Sequence, residues 1–396
     1  MLQYFILSTP SFVCLFWAFA LLIKKGKNFR TKRVLAIDLI CCSIVFYIYG
    51  SFFVPDTDYE NRYWQDIIYT FCLPMLYPLH MIYAKLLTDT KKFQWWLIMA
   101  FSPPFILTAL TATGYFLMGK ENSIIYARDF LFNYGEKHFP VDYPLFKLQY
   151  FWDEVLFIIV ISIQTLVAFI YFSFRIIKYR LQLKEFYSNP DEHFQWNFYF
   201  IFAATGIYSL LTFIAVLADL NSYSSRPLYV NTIFIFFAIS SYILAYAGYH
   251  IRYTAEDFAR QLAQADLAEK QNNNTLTDDC DKKKSYNPRL VSLFTRLIEE
   301  DKIYLKNDLR LDEVAAMVQT NRCYISRLIN EKYQCTFSEY INNCRITYAQ
   351  ELMLQNPSMK QEVVAAESGF SHVTTFSRTF RQVIGIPPKE WLKQQE

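Results

Sequence analysis

The chain is 396 residues long, 53% hydrophobic and 19% aromatic, with 19% charged residues and a formal net charge of +3. Soluble globular chains average about 25% charged residues, so this composition argues against a protein solvated by water alone and fits one partly solvated by lipid. The net charge is too small to name a partner.

Apolar stretches follow one another from the N-terminus to about residue 251. From Arg252 onward charged and amide residues dominate and the apolar ones become periodic. Seven stretches approach the roughly 20 residues that a bilayer crossing needs: 5–23, 34–53, 67–87, 95–117, 155–177, 196–217 and 229–251. Nothing basic precedes the first, while Lys24, Lys25 and Lys27 follow it. A cleavable signal has the reverse charge order, so the first stretch reads as a retained helix with its N-terminus outside.

Lys and Arg bias sets the orientation. The inner loops carry Lys24, Lys25, Lys27, Arg30, Lys32 and Arg33, then Lys91 and Lys92, then Arg175, Lys178, Arg180 and Lys184; the outer loops are sparser, and the first is acidic, with Asp56, Asp58, Glu60 and Asp66. Seven crossings from an outside N-terminus leave the C-terminal part in the cytoplasm. The expected location is the inner membrane of a bacterium. Trp64, Trp95, Trp96, Trp152 and Trp196 fall at stretch ends, as in an interfacial aromatic belt.

Pro74, Pro78, Pro103 and Pro104 interrupt the third and fourth stretches, and Asp38, His80, Gln164 and Asn231 place polar groups at membrane depth. Such groups are costly unless paired. They fit either a pocket or hinge, or ordinary interhelical hydrogen bonds and kinks. The aromatic outer loop, about 119–154, reads as a lid or contact surface. The eight Cys show no CxxC pair and no zinc spacing, which suggests reduced thiols.

Residues 252–270 read as a helix leaving the membrane, with Phe258, Leu262 and Ala265 near heptad spacing. This stripe suits a homodimer through the juxtamembrane helix; a solvated helix is the other reading. Residues 271–287 are almost without apolar residues and read as a flexible linker.

A new periodic region starts at Asn287-Pro288, a helix cap followed by a first-turn proline. Its first helix, 289–300, puts Leu290, Leu293, Phe294, Leu297 and Ile298 on one face. Two short helices follow, with Leu311, Val314, Ala315 and Val318 on one and Ile325, Leu328 and Ile329 on the other, joined by Gln319-Thr320-Asn321. The second leaves Arg322, Cys323, Ser326 and Arg327 on a polar face that suits a DNA major groove. Thr336-Phe337-Ser338-Glu339 matches a capping box. It opens a helix of about 20 residues, roughly 30 Å long, with Phe337, Tyr340, Ile341, Cys344, Tyr348 and Leu352 as its buried stripe. The two-helix pattern then recurs around Val364-Ala365-Ala366, Gly369-Phe370 and Phe376 to Phe380, exposing His372, Val373, Thr374, Ser377, Arg378 and Arg381. Recognition helices held about 30 Å apart can enter successive major grooves, which are about 34 Å apart.

The strings LRLDEVAAMVQTNRCYISRLINEKYQCTFSEYINNCRITYAQELM and VVAAESGFSHVTTFSRTFRQVIGIPPKEW resemble the AraC/XylS family of transcription activators over residues 290–391. The resemblance implies two helix-turn-helix units joined by a long helix and bound to double-stranded DNA. It would put Arg322, Cys323, Ser326 and Arg327 of the first unit, and His372, Thr374, Ser377 and Arg378 of the second, on bases or phosphates. The chain departs from the family at Gln319, where Gly is frequent, at Arg310 and Lys360, where small capping residues are usual, and at Gln361, where an apolar residue is usual.

The expected fold is all-α: a seven-helix transmembrane bundle (1–251), a juxtamembrane helix and linker (252–286), and an all-helical double helix-turn-helix domain (287–396). The expected function is a membrane-bound one-component transcription regulator with the lipid bilayer, promoter DNA and a signal ligand of unknown identity as partners. The alternative is a multi-pass receptor or transporter whose helix-turn-helix tail contacts protein, since the module from Asn287 is nearly charge-balanced. Enzyme motifs such as HExxH, GxSxG or a phosphate-binding Gly loop are missing and the five His are scattered. No cofactor or metal is expected.

Overall fold

The computed structural model describes residues 2–24, 28–51, 60–90, 95–128, 144–194, 196–217, 227–272 and 287–395. Most of the linker 271–287, the middle of the outer loop 119–154, and the loop charges Lys25, Lys27, Asp56, Asp58, Lys91 and Lys92 lie outside the described residues. Among those described, the fold is entirely helical, and the only extended pairing is an isolated bridge between Tyr187 and Arg310.

The first helices are α1 (Leu2–Ile23), α2 (Phe29–Ser51), α3 (Arg62–Thr88), α4 (Ser102–Tyr126), α5 (Phe157–Phe186), α6 (Trp196–Leu217) and α7 (Pro227–His250). Among the described residues, seven helical segments are long and apolar enough to cross a membrane. The chain divides into two compact units. The first is Met1–Ile177 with Trp196–Glu256, and the second is Lys178–Gln195 with Asp257–Glu396. Compactness thus groups residues differently from the division by chain order at 251 and 286.

In the first unit α1 packs on α2 and α7, α2 on α3, α3 on α4, and α6 on α7. Between helices apolar all round, specificity comes from small and polar contacts. Ser11 Oγ donates to the Ser43 carbonyl at 2.9 Å and Ser43 Oγ to the Ser11 carbonyl at 3.0 Å, clasping α1 to α2. Phe46 meets Tyr208, Phe234 and Phe237 in an aromatic core.

Pro74 and Pro78 sit inside α3. Pro103 and Pro104 instead start α4, after a break from the short helix Trp96–Met99, so the fourth stretch is two helices. Asp38 and His80 are not isolated: both are buried, and His80 Nδ1 lies 3.2 Å from Asp38 Oδ1. A second buried group sits on a π-helical turn, Phe151–Leu156. There Asp153 accepts from Thr111 at 2.9 Å, from Tyr126 at 3.2 Å and from Gln149 at 2.8 Å, and nearby Tyr115 donates to Asp66 at 2.8 Å.

The second unit combines the end of α5 from Lys178, the short helix Pro190–His193, and α8 (Ala255–Asn272) from Asp257 with seven further helices. These are α9 (Pro288–Glu299), α10 (Leu311–Val318), α11 (Arg322–Tyr333), α12 (Phe337–Gln355), α13 (Gln361–Glu367), α14 (Val373–Ile384) and α15 (Pro388–Lys393). One of its cores joins Ile346, Ala349 and Met353 of α12 to Val364, Ala365, Phe370, Phe376 and Phe380.

Candidate nucleic-acid interface

Two helix pairs, α10–α11 and α13–α14, are built alike. Each first helix ends on the same pair of backbone hydrogen bonds: Gln319 N–H to the Ala316 carbonyl at 3.1 Å and Thr320 N–H to Ala315 at 2.9 Å in one, Gly369 N–H to Ala366 at 3.1 Å and Phe370 N–H to Ala365 at 2.9 Å in the other. Both turns need a left-handed residue, a region glycine enters without a Cβ clash. Gly369 has φ +80°, and Gln319 adopts φ +58° in its place, so the departure at Gln319 leaves the turn intact.

Side chains fix the helix starts as their sequence suggests. Asn287 Oδ1 accepts from Arg289 N–H at 3.0 Å and Asn321 Oδ1 from Tyr324 N–H at 2.7 Å. Thr336 and Glu339 exchange both bonds of a capping box, at 3.3 and 3.1 Å. At Arg310 the backbone N–H donates to Glu313 at 3.3 Å, which supplies the anionic half of such a box. Lys360 makes no side-chain cap bond. α12 has 19 residues, about 28 Å at 1.5 Å per residue.

On α11, Arg322, Ser326 and Arg327 are half-buried and Cys323 is exposed. Cys323 is disulfide-bonded, contrary to the expectation of reduced thiols. His372 is the residue before α14 rather than part of it, with extended backbone at φ −140°. Thr374, Arg378 and Arg381 are exposed, Ser377 is half-buried, and Val373 packs against the core of the second pair instead of standing free.

Several of these residues have partners within the same unit. Arg322 Nη2 lies 2.7 Å from Asp266, Ser326 Oγ donates to Glu185 at 3.4 Å, and Arg378 pairs with Asp191. Lys184 donates to Glu339 at 3.0 Å. Partial burial raises the Glu339 carboxyl, but the Thr336 N–H and the Lys184 ammonium outweigh it and hold the group below its ordinary range. Asp312, half-buried at the start of α10, is pushed up by that burial more than Arg310 pulls it down.

Periodicity missed the most enclosed charge in this unit. Arg345 is fully buried on α12, donating to the carbonyls of Tyr304 at 2.6 Å and Lys306 at 2.7 Å, to Asn189 Oδ1 at 2.8 Å and to Ser188 Oγ at 3.2 Å. Arg345 and Ile346 are buried where Cys344 and Tyr348 are only half-buried, so the true stripe is rotated from the expected one. A lone Arg amid apolar neighbours was the available signal. Phe258 likewise has its partners inside the chain: it is 8% exposed, its ring 5.5 Å from Phe186 and 6.0 Å from Tyr187. The premise that one copy leaves this residue bare for dimerisation does not hold.

A protein-family profile described as "Helix-turn-helix domain" matches residues 314–394. Over 86 residues the chain is 34% identical to the HTH-type transcriptional regulator GbdR of Pseudomonas aeruginosa, covering 22% of this chain and 23% of that protein. It is 30% identical over 91 residues to the Regulatory protein PocR of Salmonella typhimurium, 23% of this chain and 30% of PocR. It is 28% identical over 113 residues to the TCP pilus virulence regulatory protein of Vibrio cholerae, 28% of this chain and 40% of that protein. The chain therefore spans well under half the length of these relatives, and no solved structure matches it. The similarity and the paired geometry agree: the C-terminus of this chain, which is helical throughout its described elements, is an AraC-type helix-turn-helix domain.

Proposed function

We propose that the chain is a membrane-bound one-component transcription regulator. Its first unit crosses the bacterial inner membrane with the N-terminus outside, and its helix-turn-helix pairs bind promoter DNA in the cytoplasm. The observation that carries this is the repeated helix-turn-helix geometry within the stretch that resembles DNA-binding regulators. Arg322, Cys323, Ser326 and Arg327 form one recognition face, and His372, Thr374, Ser377, Arg378 and Arg381 the other.

Exposed apolar side chains support the membrane placement. Phe116 and Leu228 are 85% and 81% exposed, on helices apolar enough to span. Water would penalise such a surface and lipid would not. The buried Asp38–His80 pair is a candidate signal-reading site, because buried ionisable groups in a membrane helix usually mark function, and the buried Asp153 group at the edge of the outer loop is a second. Pairing of two copies through α8 would use half-buried Leu262 and exposed Leu267 rather than Phe258.

Genome-wide mapping of bound DNA, in cells with and without the chain, tests this reading. Discrete peaks that vanish with the gene are expected, and their absence under all conditions would overturn it.

A further inference from the structure

Three of the side chains assigned to DNA are already engaged by carboxylates of the same chain. Arg322 meets Asp266 of α8, Ser326 meets Glu185 at the end of α5, and Arg378 meets Asp191, whose other oxygen lies 3.8 Å from Arg180. Both recognition helices are involved. A carboxylate offers a guanidinium the same charge-assisted acceptor that a phosphate does. DNA binding would need each arginine released, and would leave three carboxylates facing a polyanion.

We propose that this arrangement is an autoinhibited state, in which Lys178–Phe194 and α8 form a cover whose carboxylates Glu185, Asp191 and Asp266 compete with DNA for the two recognition helices. The proposal rests on the DNA-binding reading above.

The cover is anchored away from the surfaces it blocks. Ser188 N–H donates to the Leu309 carbonyl at 2.9 Å, Ser338 Oγ donates to the Ser188 carbonyl at 3.1 Å, and Arg345 holds Ser188 and Asn189. Phe258 packs α8 on Phe186 and Tyr187, whose hydroxyl donates to Gln261. These buried contacts fix the position of the cover, while its acids reach onto α11 and α14. The Arg378–Asp191 contact is solvated: both residues line a cleft of about 530 Å³ with Arg180, Lys184, Glu339 and Asn342. Exposed ion pairs are individually weak and screened by salt, so the cover is poised for release rather than locked. Glu185 also belongs to α5, one helix from Phe157 to Phe186 that includes a membrane-spanning stretch, so a signal acting on α5 has a covalent route to the cover.

The test compares full-length chains in lipid nanodiscs for binding to a labelled random-sequence duplex DNA pool. One variant is Glu185→Gln/Asp191→Asn/Asp266→Asn, which keeps side-chain shapes and removes the competing charges. The control is Glu299→Gln/Glu362→Gln/Glu367→Gln, with the same charge change at exposed acids elsewhere in the unit. The first variant is expected to bind about tenfold more tightly than the control, because a closed population lowers apparent affinity by the fraction it occupies. Asp191→Asn alone should move the same way by about twofold. Equal affinity in variant and control would overturn autoinhibition. No binding by any chain, control included, would overturn the DNA-binding reading beneath it.

Discussion

Gly369 stands where the chain has no room for a Cβ: an added one would lie 2.8 Å from the Leu305 carbonyl and 2.9 Å from that of Tyr304, at φ +80°. Gly369→Ala should therefore destabilise the second unit by about 2 kcal/mol or more, read as a lower urea midpoint in detergent. Gln319 holds the equivalent left-handed position in the first turn, and Gln319→Gly should stabilise the unit by up to about 1 kcal/mol as left-handed strain is relieved, read as a higher urea midpoint. Arg345→Met should cost about 3 kcal/mol, because it leaves several buried acceptors without a donor. Arg345→Lys should recover only part of this, since an ammonium cannot reproduce the guanidinium fork. On DNA, Arg327→Ala and Arg378→Ala should each weaken specific binding by about 1–3 kcal/mol if they read bases. A loss equal on all sequences would mark phosphate contacts instead.

Among the elements, α12 shows what is legible in sequence and what is not. Its Thr336–Glu339 capping box, its length and its Asn356-Pro357 stop follow from neighbours in the chain, and both helix-turn-helix pairs were readable from local periodicity. Phe337 and Ile341 are buried as expected, but further along α12 the inward face shifts to Arg345, Ile346 and Ala349, and Arg345 is held there by Ser188 and Asn189, far away in sequence. The same limit hid the Asp38–His80 pairing between α2 and α3 and the partners of Phe258. The start of α12 also carries a pH signature. Glu339 has a depressed pKa, so the stability it adds is present above the unfolded carboxyl value, about 4.3, and is lost as pH falls through its folded value. Asp312 is shifted the other way, so its contribution opposes this loss on acidification. Subtracting the pH profile of Glu339→Gln from that of the wild type isolates Glu339: the difference should be flat above about pH 5 and shrink below about pH 4.

For the whole molecule, orientation is the first quantity to measure. A reporter fused after Ile251 should be active when it requires the cytoplasm and silent when it requires export; the opposite pattern would sink the proposed topology. Phe258→Glu/Leu262→Glu should disturb packing within one copy as well as any pairing, because Phe258 is buried against Phe186 and Tyr187. The second unit is assembled from two stretches of chain separated by two candidate membrane spans. Ser188 and Asn189 leave the ribosome long before Arg345, which they complete. At about 5–20 residues per second the delay is roughly 10–30 s. During that interval the segment between α5 and α6 lacks the partners that α12 supplies, and an interrupted translation product ending before α12 would keep it so. Quality-control proteases that sample exposed loops should therefore cut such truncated chains between α5 and α6, while the finished protein is protected there.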